Sequence, residues 1–434
     1  MSHLTKLCIV LSLYASSLNA AISPHIERWL TTQGTPVVFY QAMDIPMLNI
    51  QIAFHAGAAY DGSQFGLSAL CTRLLNQGNA GFDASAIANQ LADVGAQYSS
   101  ENTQDSLILN LKTLSEPRAR TQALNTLKRI IGHPDFLETA FNREKNQQRL
   151  SLRHTEESPD DMADETFYQM LYQNHPYAHS INGTQTSLDA LHRKDVQLFY
   201  KKFFVAHNAV IVLVGAIDKP TAIHLSNDLM HDLPLGQKAP PVPTAKPLAS
   251  EMNIEVPMAS SQAVIRLGQL GIDHHDPLYF PLLVGNHILG GGSLFSRLAD
   301  ELREKRGLTY GVYSQFIFMS GRGPFIIRLS TKQSQAQTTE ALTRETLTHF
   351  IQFGPTPDEL TAAKQYLTGS FPLALAGNQN MADILLKMTL YTLPEDFLDT
   401  YIEHIRAVRI EDIRQAFQQR LNPKRLLSLR VGSP

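Results

Sequence analysis

Cysteine is nearly missing from this chain, with two in 434 residues, Cys8 and Cys71. Cys8 falls in a stretch that reads as a removable leader, so one thiol remains and the fold must rest on ordinary hydrophobic cores rather than on a disulfide. Charge of one sign is also missing. Lys and Arg total 37 against 40 Asp and Glu and no basic run stands out, which argues against nucleic acid or another polyanion as partner. After the leader, no run approaches the roughly 20 apolar residues that a membrane-crossing helix needs, so no stable membrane anchor is expected. What is present at the start is Lys6, an apolar core over residues 7–15 and small residues ending in Ala20, the pattern of a cleavable secretory signal with the mature chain beginning near Ala21. A bacterial periplasm is the expected destination.

At 434 residues the chain exceeds what one core usually supports, so two domains are expected. Residues 232–250 are rich in proline and lack periodicity, and read as a semi-extended linker. The chain repeats itself on either side. Asp195, Val196, Phe199, Phe204 and the strand 209–215 line up without a gap against Asp412, Ile413, Ala416, Leu421 and residues 425–432. Each half thus ends in an amphipathic helix, a short polar turn and an apolar strand closed by glycine, which implies two homologous domains. The expected division is a leader at 1–20, a first domain at 21–231, the linker at 232–250 and a second domain at 251–434.

The first half begins with a strand at 36–41 and a second in which Leu48, Ile50, Ile52 and Phe54 alternate with Asn49, Gln51 and Ala53, the period of a half-buried sheet. Helices are expected at 66–76 and 84–94, then strands at 97–101 and 106–113. The order recurs with a strand over 263–267, a helix over 277–289 and strands over 309–316 and 325–331. Thr356, Pro357 and Glu359 form a capping box with proline at the first helical position. Strands grouped with helices between them predict an α+β fold of two tandem homologous domains, each an antiparallel-rich sheet with helices on one face.

Chemistry concentrates in residues 289–316. A glycine run, Gly290 to Gly292, precedes Leu294, Phe295, Leu298 and Leu302, whose spacing predicts one buried helical face. Arg303, Lys305 and Arg306 crowd its last turn and Gly307 caps it. A strand is expected from Thr309, so that Arg303 and Tyr310 can converge as a guanidinium fork and a phenol, two donors suited to a carbonyl oxygen. This run of Arg303, Glu304, Lys305, Arg306, Gly307, Leu308 and Tyr310 resembles the C-terminal-half signature of the pitrilysin, insulinase and mitochondrial-processing-peptidase family of zinc peptidases, the inverted zincins. The resemblance extends over nearly all of the mature chain.

The family's zinc motif, H-x-x-E-H, belongs on the first helix of the N-terminal half, where two imidazoles bind the metal and the glutamate acts as base. The surroundings match here, from His55, Gly57 and Asp61 to Gly66, Leu67, Leu70 and Leu74. The chemistry is gone: Ala69 and Arg73 stand at the two ligand positions and Thr72 at the base position. If Glu144 matches the family's first downstream glutamate, Ser151 occupies the third ligand position. No metal is therefore expected on this chain. Other candidates are weaker. His175 and His179 sit beside Pro176 in a loop, His224 and His231 lack a third ligand, His274 and His275 read as an exposed approach to a helix, Gly290 to Gly292 lack the lysine of a phosphate loop, and Cys71 reads as core packing.

What the resemblance implies is a clamshell of two similar domains and a division of labour between chains. One family subunit supplies zinc, while a second, this one, supplies Arg303 and Tyr310 to hold an extended peptide opposite it. The expected partner is a zinc-binding peptidase subunit of the same family, in a periplasmic heterodimer. The alternatives are a zinc-free scaffold or peptide-binding protein without a peptidase role, and a homodimer with a relocated metal.

Overall fold

The computed structural model describes residues 25–433, so the expected leader lies outside the described residues. The strands are β1 (Ile26–Leu30), β2 (Pro36–Gln41), β3 (Met47–Phe54), the two-residue pair β4 (Gly78–Asn79) and β5 (Phe82–Asp83), β6 (Gln97–Asn102), β7 (Leu107–Leu114), β8 (Ala209–Gly215), β9 (Met252–Ala259), β10 (Gln262–Leu270), β11 (Val312–Phe316), β12 (Pro324–Lys332) and β13 (Leu427–Ser433). Among the described residues they build two large sheets, in the order β1-β2-β8-β3-β7-β6 and β11-β12-β10-β13-β9. With β1 set aside, the second order reversed repeats the first. In both, the pair β2 with β8 or β9 with β13 runs parallel, and the remaining neighbours run antiparallel. The correspondence that sets Asp195 on Asp412 also sets Val212 on Leu429. Gln51 lies opposite Val212 and Arg266 opposite Leu429, so these two polar residues hold equivalent places on the central strands.

One face of each sheet carries helices of its own half, as the grouping of elements predicts. Leu48, Ile50, Ile52 and Phe54 pack under the helices Leu67–Leu74, Pro117–Gly132 and Arg193–Phe203, with Leu70, Leu127 and Phe204. Ile265, Leu267 and Phe325 pack likewise under Tyr279–Asn286, Ala336–Phe353 and Ile410–Arg420, with Leu282, Phe350 and Phe417. Burying a side chain of this size stabilises by roughly 1.5–3 kcal/mol. The capping box at Thr356 forms, with both of its hydrogen bonds, at the start of Pro357–Ala374.

The half-buried reading of β3 is corrected by the structure: Asn49, Gln51 and Ala53 are buried as well. Their face is covered by a helix of the other half, Asn378–Leu390, whose Met381, Ala382, Leu385 and Leu386 pack on Val38, Ala53, Val210, Val212 and Val214. Two hydrogen bonds cross this seam, Asn49 Nδ2 to Gln379 Oε1 at 2.8 Å and Gln51 Nε2 to Asp383 Oδ1 at 2.5 Å. The exchange is mutual. The first-half helix Pro159–Tyr172 lays Ala163, Phe167 and Leu171 on Val264, Ile326, Leu427, Leu429 and Val431 of the second sheet. A Cβ on Gly268 would sit 2.9 Å from Phe167 Cζ, so the bare backbone there makes room for the ring. Arg266, 1% exposed, donates to Asp164 Oδ1 at 2.5 Å and to Asp160 Oδ1 at 2.7 Å. Residues 232–250 carry no helix or strand, yet Ala245 and Leu248 are buried in this second seam and His175 Nε2 bonds the Pro243 carbonyl at 2.7 Å. Here backbone contacts and side-chain burial hold an extended segment in place.

Candidate functional site

The helix Leu67–Leu74 starts from Gly66, whose φ of +88° and whose approach to Asn182 leave no room for a side chain: a Cβ would lie 2.6 Å from that carbonyl oxygen. Asp61 accepts from Gly66 N and Ser68 N, both at 2.8 Å, and so holds the helix start. Burial outweighs these donors and pushes the Asp61 carboxyl up to about 7. Cys71 is buried in the core, where desolvation pushes its thiol far up, so it is packing rather than a nucleophile.

At the family's ligand positions, Ala69 is buried and offers a methyl group. Thr72 is buried with its hydroxyl donating to Ser68 O at 2.8 Å. Arg73 is half-buried and has no ion-pair or hydrogen-bond partner among the described residues. Ser151, on the helix Glu138–Glu157, is half-buried and donates to Gln147 O at 3.2 Å. One turn earlier, the buried Gln148 donates to Gly66 O at 3.0 Å and Asn182 O at 2.9 Å, tying that helix to the start of Leu67–Leu74. Sequence reasoning passed over Gln148, although it lies between Glu144 and Ser151. Zinc takes imidazole, thiolate or carboxylate, and a guanidinium keeps its charge and has no lone pair to give. This set does not fit the metal, and the chain binds no zinc there. Among the described residues no group of three His, Cys, Asp or Glu is placed to hold a metal elsewhere.

Of the histidine candidates, His175 and His231 are used locally, while His224 is exposed with no partner among the described residues. His175 Nδ1 accepts from Tyr177 N at 3.1 Å at the start of a short turn of helix, Pro176–Ala178, and His231 Nδ1 lies 2.8 Å from Asp232. His274 is a correction. It is buried, stacked on Tyr391 at 4.2 Å and Phe318 at 4.9 Å between ring centroids. Burial, with Lys387 nearby, pushes its imidazole down to about 3.

The second half departs from the predicted amphipathic helix. The backbone after Tyr279–Asn286 widens, with Gly292 N reaching His287 O at 2.7 Å, tightens over Ser293–Phe295, and widens again where Lys305 N reaches Asp300 O at 3.0 Å. Leu298 and Leu302 are buried as expected, whereas Leu294 is exposed and Phe295 is 97% exposed. The widened turns break the register that would have put all four on one face. Gly290 fits against β11, where a Cβ would meet Ser314 Oγ at 2.5 Å. Gly307 caps the segment at φ +60°, with its N–H on Arg303 O at 2.9 Å. Lys305 pairs with Asp300 at 2.8 Å and Glu301 at 2.6 Å, and Arg306 with Glu301 at 2.7 Å. Arg303 has only a 3.6 Å approach from Glu304 and keeps its fork open. The strand starts at Val312 rather than Thr309. Tyr310 therefore stands in the loop ahead of β11, 91% exposed, while Thr309 Oγ1 holds the loop through Ser330 O at 2.7 Å.

A junction between the halves went unread in the sequence. Asp105, buried after β6, accepts from Ser320 N at 2.8 Å, from Tyr391 Oη at 3.2 Å and from the Tyr177 hydroxyl. Burial raises its carboxyl above the usual range. A run of Thr103, Gln104 and Asp105 between strands reads as a turn, and only the fold brings Ser320 and Tyr391 to it.

Residues 37–185 match the family described as Insulinase (Peptidase family M16), and residues 190–367 match the Peptidase M16 inactive domain. A crystal structure of the peptidase M16 inactive domain from Pseudomonas fluorescens shares 33% identity and a TM-score of 0.91, covering 94% of this chain and 98% of that one. A protein of Helicobacter pylori described as "Non-peptidase homolog YmxG" is 27% identical over 398 residues, 91% of each chain. The "Uncharacterized zinc protease YmxG" of Bacillus subtilis is 24% identical over 400 residues, covering 91% of this chain and 95% of that one.

Proposed function

The chain belongs to peptidase family M16 as an inactive member, and from that premise we propose that it is the substrate-binding subunit of a periplasmic zinc metallopeptidase heterodimer. One observation carries the reading: the first half has closed its metal position with Ala69, Thr72 and Arg73, while the second half keeps Tyr310 exposed and Arg303 accessible with no partner nearer than Glu304 at 3.6 Å. Arg303 offers a planar fork and Tyr310 a phenol, and together they suit backbone carbonyl oxygens of an extended peptide. β11, at the edge of the second sheet, gives such a peptide a strand to lie along. Hydrolysis belongs to the partner, an M16 chain with an intact H-x-x-E-H, and the two donors here hold the carbonyl as charge develops on it. The periplasmic assignment rests on the leader pattern of residues 1–20.

The test is to isolate the tagged mature chain from its native cell envelope and identify what co-purifies. The expected outcome is a chain of similar size with intact H-x-x-E-H and a peptidase activity lost to chelators. In that complex Arg303→Ala or Tyr310→Phe should lower kcat/KM about 10²-fold while the two chains still co-elute. Full activity with both residues replaced overturns the assignment. The alternative, a zinc-free scaffold or peptide-binding protein, is favoured by the description of the Helicobacter relative as a non-peptidase. Recovery of this chain alone, or with unrelated envelope proteins, would establish it instead.

A further inference from the structure

Away from Arg303 and Tyr310, a cavity of about 460 Å³ opens where the helix Ile410–Arg420 turns into β13. Its size is that of a small-ligand pocket. Three guanidiniums line it, Arg322, Arg420 and Arg425, and none of the lining residues is acidic. Arg322 commits Nε to Gly271 O at 2.9 Å. Arg420 commits its fork to Asp276, with Nε to Oδ2 at 2.7 Å and Nη2 to Oδ1 at 3.1 Å. Arg425 is exposed and its side chain has no partner among the described residues. The turn that carries them is fixed by the buried Gln269, which donates to Arg420 O at 2.8 Å and accepts from Asn422 N at 3.0 Å. The apolar lining that the cavity exposes is Pro247 and Pro423, while Leu248, Leu270 and Leu421 are almost fully buried.

We propose that this cavity binds the C-terminal carboxylate of a peptide whose last side chain is apolar. The uncommitted fork of Arg425, with the outer nitrogens of Arg322 beside it, calls for an oxyanion, and the fork matches the two oxygens of a carboxylate, while Arg420 is already neutralised by Asp276. A bare inorganic anion has no use for the apolar lining that Pro247 and Pro423 expose, whereas an apolar terminal side chain buries against it. Gln418 and Gln419 also line the cavity, and although Gln418 Nε2 donates to Gln352 O at 3.3 Å, the amide of Gln419 suits a peptide backbone. This inference does not depend on the role assigned to Arg303 and Tyr310, which do not line the cavity.

The experiment measures binding of a fluorescent hexapeptide ending in leucine to the purified mature chain, with the free carboxylate and with a C-terminal amide. The free acid should bind about tenfold or more tightly than the amide, the worth of a charge-assisted contact. Arg425→Ala should erase that difference, and because Arg425 is exposed and unpartnered, its melting temperature should match the parent. Arg303→Ala with Tyr310→Phe should leave the difference intact. Equal binding of acid and amide overturns the proposal, as does an acid preference that survives Arg425→Ala combined with Arg322→Ala. Displacement of the peptide by inorganic phosphate as readily as by N-acetyl-leucine would also overturn it, reducing the cavity to an anion patch. None of these failures bears on the peptidase complex, which is read by activity.

Discussion

The two sheets share a strand order and each is covered on its outer face by a helix from the other half, but the two seams are made of different chemistry. At equivalent places on the central strands, the first sheet presents Gln51 to Asp383 and the second presents Arg266 to Asp160 and Asp164. The first seam is methionine- and leucine-rich, with amide hydrogen bonds at its middle. The second is aromatic, with Phe167, Tyr172 and Tyr177 in its cluster, and it carries the buried Arg266. A duplicated scaffold thus fixes where a crossing contact falls, not what makes it. Because neither sheet is covered by its own half alone, the halves should unfold together.

The sharpest way to break that expectation is Phe167→Ala. The ring is buried against the second sheet, and its loss should cost about 3–5 kcal/mol. A single calorimetric transition moved to lower temperature is the expected result, whereas two separated transitions would show that the seam does not couple the halves. Arg266→Ala comes next, at about 3 kcal/mol, the lower end for breaking a buried pair. The loss is limited because Asp160 and Asp164 reach solvent and do not become buried unpaired charges. Gln51→Ala should cost less, roughly 2 kcal/mol, since one hydrogen bond to a carboxylate is lost while Gln379 still donates to Asp383 at 2.8 Å. Urea midpoints of the two single variants rank the seams directly, and a Gln51 loss equal to that of Arg266 would remove the distinction drawn between them.

Much of this frame was legible because local rules and tertiary structure agree. β2 and β8 fall where apolar runs end in polar or glycine residues, the capping box at Thr356 forms, and the repeat of Asp195 on Asp412 reappears as a repeated strand order. The erased metal site was legible too, because a missing imidazole is a matter of residue identity. The seams were not. A period of two says that Asn49 and Gln51 share a face, but cannot say whether water or a helix lies opposite, and Asp383 is 332 residues away. His274 failed for the same reason, its neighbours Phe318 and Tyr391 being distant in sequence. Leu294 and Phe295 failed differently: a spacing of three and four assumes a regular helix, and the widened turns on either side of Ser293–Phe295 break it. Arg303 and Tyr310 are singled out only by the family pattern, since nothing in periodicity separates Arg303 from Lys305 and Arg306, whose charges are taken up by Asp300 and Glu301.

The two helix starts extend the comparison to pH. In the second half Asp276 accepts from Leu278 N at 2.9 Å and also pairs with Arg420. In the first half Asp61 makes the equivalent contacts to Gly66 N and Ser68 N but pairs with no cation among the described residues, and burial pushes its carboxyl up to about 7. A carboxyl raised in the folded state binds its proton more tightly there than in the unfolded chain. Its favourable contribution is complete below about pH 4 and is lost as pH rises through about 7. Between pH 6 and 8 this amounts to about 1 kcal/mol. His55, pushed down to about 4 by burial, and His274 act in the opposite sense, so the whole-protein profile mixes both. The difference between the parent and Asp61→Asn isolates the carboxyl. The stability gap between the two proteins should shift in favour of Asp61→Asn as pH rises from 6 to 8, read as thermal midpoints at closely spaced pH values. A gap that stays constant over that interval would mean that Asp61 is already ionised at pH 6, its backbone donors outweighing its burial.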